Sequence, residues 1–489
     1  MQIHPATDLD PDELKPGASF KPAGGKINGN TSLILLLLLS GLVLLLSAFL
    51  TDRLDTPTGD EPHYLVISQT LLLYHSLDVT LDYAHGDYKS FYPGPLGPLQ
   101  HTSLNKWGQL LPLHSIGAPV LWLIPFAIAG KAGTLLFMSL ASLLIVLNVY
   151  LLLWALGIEE NYAFLASLGI AVASPIWVFS HRNFVEPLAA LLCIYIARVL
   201  FQERLRAWDL LGASAALGML PWIHIRFALF EVVLFCFLLA RLYQVYRFKK
   251  ISMYVYALLP VIGLFLLFET YNFLVWGSLN PAVNQANSSE VPFDVSPWRG
   301  LLGLFLDQES GLLPNFPIFL FLLAGVILAA RKKYLRFNML VLLLALPYIV
   351  TIASFHNWSG AISPPARFMA VLVPLFAFYL ALALQRARSW ISTGLFLLFM
   401  GVALLYEGVS FTIPGGWISW QQGQSQQGPL AVVGQAFHLP LTQAVPAFFD
   451  RGKPIFPLPA QVVPFTGWLL VLVALTLATV LLARRAGKG

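Results

Sequence analysis

Long apolar runs separated by short polar breaks organise this chain. They fall near 32–50, 132–154, 161–180, 187–201, 209–221, 223–240, 254–275, 314–330, 337–354, 368–385, 390–410 and 464–483. The runs are unbroken rather than alternating, which predicts helices and argues against a membrane β-barrel. A hydrocarbon core about 30 Å thick takes roughly 20 apolar residues in a helix. The pattern therefore predicts an all-α polytopic membrane protein with about 12 transmembrane helices. Segment 116–130 is apolar but short, and it holds Pro119 and Pro125. It reads as a re-entrant or interfacial helix inside a long first outer loop.

Composition supports this. Of 489 residues, 57% are hydrophobic and 11% charged, where a soluble chain carries about 25% charged residues. Disorder, a coiled coil and a secreted disulfide scaffold are excluded on the same grounds. Cys193 and Cys236 both lie inside apolar runs. The net charge of +5 does not point to nucleic acid. Its placement is more informative. With the N-terminus inside, basic clusters at 241–250, 331–336, 386–388 and 484–488 all fall on the cytoplasmic side, as the positive-inside rule demands. The predicted organisation is a disordered cytoplasmic tail at 1–31, a transmembrane module at 32–410 with its first outer loop at 51–131, an outer loop at 411–463, and a last span with a basic cytoplasmic tail at 464–489. Loop mass and nine of the ten histidines gather at or near the outer face, which is where chemistry is expected.

Three stretches there carry chemistry. Thr58-Gly59-Asp60-Glu61-Pro62-His63-Tyr64 puts two adjacent carboxylates at a helix start. Asp60 suits an N-cap, and it equally suits a general base at the membrane surface. His181-Arg182-Asn183-Phe184-Val185-Glu186-Pro187 packs an acid, an Arg and a His into one short connection. Acids at bilayer depth are costly and mark function. Ser363-Pro364-Pro365-Ala366-Arg367-Phe368 predicts a helix capped by Ser363, with Arg367 in its first turn. A cation is unfavourable there, and free N–H groups beside an Arg make an anion site suited to phosphate. Arg226 is a second basic residue near the same depth. Trp417-Ile418-Ser419-Trp420-Gln421-Gln422 reads as an interfacial aromatic belt. No Walker loop, dinucleotide fingerprint or zincin motif is present.

These motifs resemble the type-C glycosyltransferase superfamily, most nearly the lipid A aminoarabinose transferases and the protein O-mannosyltransferases. Asp60-Glu61-Pro62-His63-Tyr64 matches the acidic motif opening their first outer loop. Ser174-Pro175 through Glu186-Pro187 is similar to a Ser-Pro to acid-Pro pattern, with Glu in place of Asp. Arg367-Phe368 and Pro374 match an Arg-aromatic pair at the head of a late span. His63 stands where the aminoarabinose transferases have a basic Arg, and the 411–463 loop stands in place of a larger outer domain. The resemblance implies sugar transfer, with inversion, from a polyprenyl-phosphate-linked donor to a lipid, polysaccharide or protein acceptor. It implies a bacterial or archaeal cytoplasmic membrane.

The expected roles follow. Asp60 is the general base, with Glu61 and Glu186 completing the catalytic set. Arg367, Arg226 and Arg182 bind the donor phosphate. His63, His181 and Tyr64 are candidates for acceptor or metal binding. A divalent cation is compatible with this set and demanded by nothing in it. Asp60 and Arg367 are expected to face each other across the width of a monosaccharide. A secondary transporter or flippase for a lipid-linked or anionic substrate is the alternative. It predicts midplane charges and repeat symmetry, whereas the sequence shows no repeat and its charges gather at one edge.

Overall fold

The structure is a computed structural model that describes residues 29–99, 101–280, 296–361, 363–410, 429–448 and 455–486. The belt at 417–422 lies outside them. The described chain is nearly all helix. The first part runs α1 (Gly29–Leu54), α2 (Glu61–Tyr74), α3 (Thr80–His85), a hairpin of β1 (Thr102–Leu104) and β2 (Leu110–Pro112), then α4 (Gly117–Leu121) and α5 (Leu123–Ala155). It continues with α6 (Glu160–Val172), α7 (Pro175–Ser180), α8 (Glu186–Phe201), α9 (Ala207–Ile223), α10 (Ala228–Tyr246) and α11 (Ile251–Trp276). Later helices include Leu335–Ser354, Val373–Ala387, Trp390–Ser410 and Pro459–Ala486.

Every apolar run of the sequence is largely helical. Among the described residues, five helices are long and apolar enough to cross a membrane: Thr31–Leu54, Leu123–Ala155, Ile251–Trp276, Lys332–Ser354 and Pro459–Ala486. Their lipid-facing character is visible in exposed Leu38, Leu42 and Phe49 on the first and Leu259, Leu266 and Leu267 on the third. Contiguous apolar surface of this extent needs a nonaqueous neighbour. Helix Val373–Ala387 is instead buried over most of its length, at the centre of the bundle.

Several runs are broken where they were expected to be continuous. The run at 161–180 splits into α6 and α7. Ser174 caps α7, its Oγ accepting from Ile176 N–H at 3.1 Å, and Pro175 occupies the first turn. The start of α8 repeats the device with Pro187. Pro at the head of a helix is tolerated because its missing N–H has no partner there in any case. The two breaks frame residues 181–185, which cross the core irregularly. Segment 116–130, expected as a re-entrant or interfacial helix, forms α4 and the first turns of α5, which bend at Ala129 and Gly130. Gly130 has φ +56° and ψ −136°, a region essentially closed to residues with a Cβ. Lys131 follows, and its Nζ donates to the carbonyls of Asp52 and Asp55 at 3.0 and 2.9 Å, tying the bend to the end of α1.

Candidate functional site

The site forms at one end of the bundle, from four stretches distant in sequence. Asp60 occupies the N-cap position of α2 but makes no side-chain capping bond. Its carboxylate is turned elsewhere: Oδ2 accepts from Arg367 Nη2 at 2.5 Å. The simpler reading, in which Asp60 only caps the helix, does not describe this geometry. Arg367 also donates through Nε to Glu186 Oε1 at 2.8 Å. Glu186 Oε1 accepts in addition from Arg226 Nη2 at 2.5 Å. Asp60, Arg367, Glu186 and Arg226 are thus one chain of alternating charge. Phe368 packs between the cations, 5.0 Å from Arg226 and 5.5 Å from Arg367, and Phe184 takes the other face of Arg367 at 4.6 Å. Glu186 is fully buried, and its Oε2 has no hydrogen-bond partner among the described residues.

Two expectations about Arg367 need correction. Asp60 and Arg367 touch rather than facing each other across a monosaccharide's width, because opposite charges in a poorly hydrated pocket attract strongly. The helix expected to start at Pro364 starts instead at Phe368 as a short 3-10 turn, with Arg367 at its N-cap and Ser363 Oγ 3.3 Å from the Pro364 carbonyl. Arg367 is therefore placed by its two carboxylate partners and by the preceding turn. There Ala366 adopts φ +55°, and its N–H donates to the Ser310 carbonyl at 3.0 Å. Strained backbone of this kind persists where surrounding contacts over-determine it.

Glu61 and Arg182 form a second, deeper layer. Glu61 Oε1 accepts from Asn183 N–H at 2.7 Å and Oε2 from Thr58 N–H at 3.0 Å. Arg182 pairs with Asp55 and lies 3.7 Å from Glu61. Both are almost fully buried. Glu61 thus joins the start of α2 to the irregular 181–185 crossing, and Arg182 joins that crossing to the end of α1. Sequence reasoning missed Asp55, which looks like any polar residue after a span.

The histidines rearrange the picture most. His63 is buried, with Nδ1 2.7 Å from Tyr83 Oη. His181 is buried with Nδ1 3.4 Å from Ser180 Oγ. Tyr64 is buried with its ring 4.6 Å from that of His114. The histidines beside Asp60 are His101 and His114, which the sequence reading did not single out. They flank the β1–β2 hairpin, whose register pairs Thr102 with Pro112. The only signal was two histidines bracketing a short Asn-Lys-Trp-Gly turn. Asp60, His101 and His114 each offer one ligand atom to a metal, and these lie within 4.8 Å of one another.

Charge and burial set the protonation of these groups. Burial acts to raise the Asp60 carboxyl, but the Arg367 guanidinium and then His114 outweigh it and hold Asp60 well below the usual carboxylate range. Burial pushes Glu61 up to about 7, against Arg182 and its two backbone donors. Burial likewise pushes His114 down to about 4, with Asp60 opposing and His101 reinforcing. The site therefore presents an ionised Asp60 beside neutral His114 at pH 7.

No protein-family model matches the chain, and no curated protein matches its sequence. Solved structures do match. ArnT from Cupriavidus metallidurans bound to undecaprenyl phosphate aligns with a TM-score of 0.50 at 14% identity, over 92% of this chain and 75% of that one. The same protein in the apo state gives 0.49 at 16% identity, over 92% and 76%. The archaeal oligosaccharyltransferase AglB from Archaeoglobus fulgidus, in complex with an inhibitory peptide and a dolichol-phosphate, gives 0.43 at 13%, over 90% and 63%. The fold is thus like that of ArnT. At such identity the likeness concerns fold alone.

Proposed function

We propose that this chain is a membrane glycosyltransferase that takes a sugar from a polyprenyl-phosphate-linked donor. The transfer would occur on the non-cytoplasmic face, with an acceptor hydroxyl from lipid, polysaccharide or protein. One observation carries the reading: four distant stretches place an ionised carboxylate, Asp60, in contact with a cation, Arg367, that shares Glu186 with a second cation, Arg226. The fold of ArnT supports the donor class, since ArnT was crystallised with undecaprenyl phosphate.

The chemistry needs a base and a charge acceptor side by side. Asp60 takes the proton as the acceptor oxygen attacks the anomeric carbon. The bond from that carbon to the phosphate oxygen breaks on the opposite face. The departing polyprenyl phosphate keeps the electron pair, and Arg367 and Arg226 stabilise its charge. While paired with Arg367, Asp60 is a weak base. A donor phosphate that draws Arg367 toward itself strengthens Asp60 in the same movement. Glu186 keeps the two guanidinium groups together in spite of their repulsion. Glu61 and Arg182, by contrast, act as positioning residues for the start of α2 and the 181–185 crossing.

The test uses the product common to all such donors. The purified chain in lipid vesicles is given undecaprenyl-phosphate-linked sugars, one at a time, together with a membrane lipid extract as acceptor source. Release of undecaprenyl phosphate above the protein-free rate, with at least one sugar, is expected. No release with any donor across a broad panel, from a correctly folded preparation, counts against the proposal.

A further inference from the structure

Two arginines converge at the end of the bundle away from Asp60. Glu186 opens α8 and Gln202 caps its far end, about 24 Å away at helical rise. There the Gln202 carbonyl accepts from Arg241 Nη2 of α10 at 3.0 Å. The Arg336 guanidinium, in the first turn of the helix Leu335–Ser354, lies 5.5 Å over the Phe201 ring. Both side chains thus close on the same short piece of α8, near enough for the charge of Arg241 to act on Arg336. Both are partly buried.

This pair lacks what every arginine near Asp60 has. Arg182, Arg226 and Arg367 each meet a carboxylate. Among the described residues, no carboxylate acts on Arg241 or Arg336. Arg241 Nε and Arg336 Nη2 are buried with no hydrogen-bond partner among those residues. Buried N–H groups are nearly always bonded, and the exceptions mark something that binds there. Arg336 also sits at the positive end of its helix, where a second positive charge is unfavourable. A general excess of cations on one side of a membrane accounts for the neighbouring Arg331 and Lys332, which are exposed. It does not account for two guanidinium groups drawn together and turned inward. An anion between them does.

The adjoining helix surface names the class of anion. Arg336, Met339, Leu343 and Leu346 stand at spacings of three, four and three, which puts them on one face. Met339, Leu343 and Leu346 are all exposed. A guanidinium pair at the head of an exposed apolar stripe matches a phosphate that carries acyl chains. We propose that Arg241 and Arg336 hold the phosphate of an anionic phospholipid, whose acyl chain lies along Met339, Leu343 and Leu346. The planar forks of the two side chains suit phosphate oxygens. The site is separate from the transfer chemistry and does not rest on it.

The test uses the full chain in detergent, stripped of lipid. Native mass spectrometry with added phosphatidylglycerol or phosphatidylcholine measures retention. Thermal melts are run with phosphatidylglycerol, and with inorganic phosphate against sodium chloride at equal ionic strength. The wild-type chain should hold one phosphatidylglycerol at a collision energy that removes phosphatidylcholine. Arg241→Gln and Arg336→Gln should each weaken that retention about tenfold or more, while Arg331→Gln/Lys332→Gln leaves it unchanged. Without lipid, Arg336→Gln relieves a like-charge contact and should melt no lower than wild type; with phosphatidylglycerol, wild type should melt higher. Loss of packing alone does not reverse the order in this way. Stabilisation by inorganic phosphate but not by phosphatidylglycerol makes the occupant a soluble phosphate and overturns the lipid assignment. Equal retention by wild type and Arg241→Gln/Arg336→Gln, or an equal loss in Arg331→Gln/Lys332→Gln, overturns the site. A wild-type chain indifferent to both anions does the same and leaves the transferase reading intact.

Discussion

Arg367 is the residue whose replacement separates chemistry from architecture most sharply. It reaches in two directions at once, Nε to Glu186 at 2.8 Å and Nη2 to Asp60 at 2.5 Å. Lysine carries the same charge on a single point and cannot span both carboxylates in the planar geometry of a guanidinium. Arg367→Lys therefore loses at least one charge-assisted hydrogen bond, about 1.5–3 kcal/mol. At about 1.36 kcal/mol per tenfold, this predicts kcat/KM lower by roughly 10- to 150-fold. Arg367→Gln removes the charge, leaving Glu186 with Arg226 and Asp60 without its guanidinium partner. Breaking a buried pair in this way costs about 3–5 kcal/mol of stability, and loss of leaving-group stabilisation takes about 10²–10³ from the rate. The double variant Arg367→Gln/Asp60→Asn removes both charges together. It should regain much of the lost melting temperature without regaining activity, because no unpaired carboxylate remains at Asp60. Initial rates of undecaprenyl phosphate release and thermal melts in the same detergent measure both quantities. If Arg367→Lys keeps wild-type kcat/KM, the two-carboxylate geometry does not serve transfer and the reasoning fails.

Other perturbations probe the surrounding structure. Asp82 is fully buried, and burial first, then Asp87, push its carboxyl up to about 7. Its folded pKa lies above the unfolded value of 3.8, so its contribution is fully present below that value and is lost as pH rises toward 7. Asp82→Asn should therefore stabilise the chain at pH 8, by at most about 4 kcal/mol, with a correspondingly higher melting temperature, and leave it little changed at pH 4. An Asp82→Asn gain that is the same at both pH values would refute this. Gly130→Ala meets open space at its Cβ but an excluded backbone region. A loss of about 1–3 kcal/mol is expected from thermal melts. Arg182→Met leaves Asp55 and Glu61 buried without their cation and should collapse the yield of monodisperse protein. Adding Asp55→Asn should restore part of it, as measured by fluorescence-detected gel filtration.

Much of the architecture is legible in the chain because bilayer thickness and helical rise impose a length on apolar runs. The helix starts at Pro175 and Pro187 are local and readable for the same kind of reason: proline has few other places to go. The four charges of the site were legible one by one, since an acid or Arg beside an apolar run is expensive. Their contacts were not. Nothing local distinguishes Arg367, which reaches Asp60, from Arg182, which is sequestered with Asp55. That choice is made by the irregular crossing at 181–185 and the turn at Ala366, both tertiary. His101 and His114 escaped notice because the strands joining them are three residues long, too short for an alternating pattern to register. Breaks such as Ala173–Ser174 also hide inside runs whose hydropathy is continuous.

The central claim is that Asp60 is the base of a sugar transfer, and Asp60→Asn tests it most directly. Asparagine keeps the size and can still hydrogen-bond Arg367, and general-base catalysis contributes about 10²–10⁴ in rate. With wild-type folding confirmed by its melt and elution profile, Asp60→Asn should release undecaprenyl phosphate at least about a hundredfold more slowly while still binding the donor. Release at the wild-type rate from a well-folded Asp60→Asn chain would contradict the account.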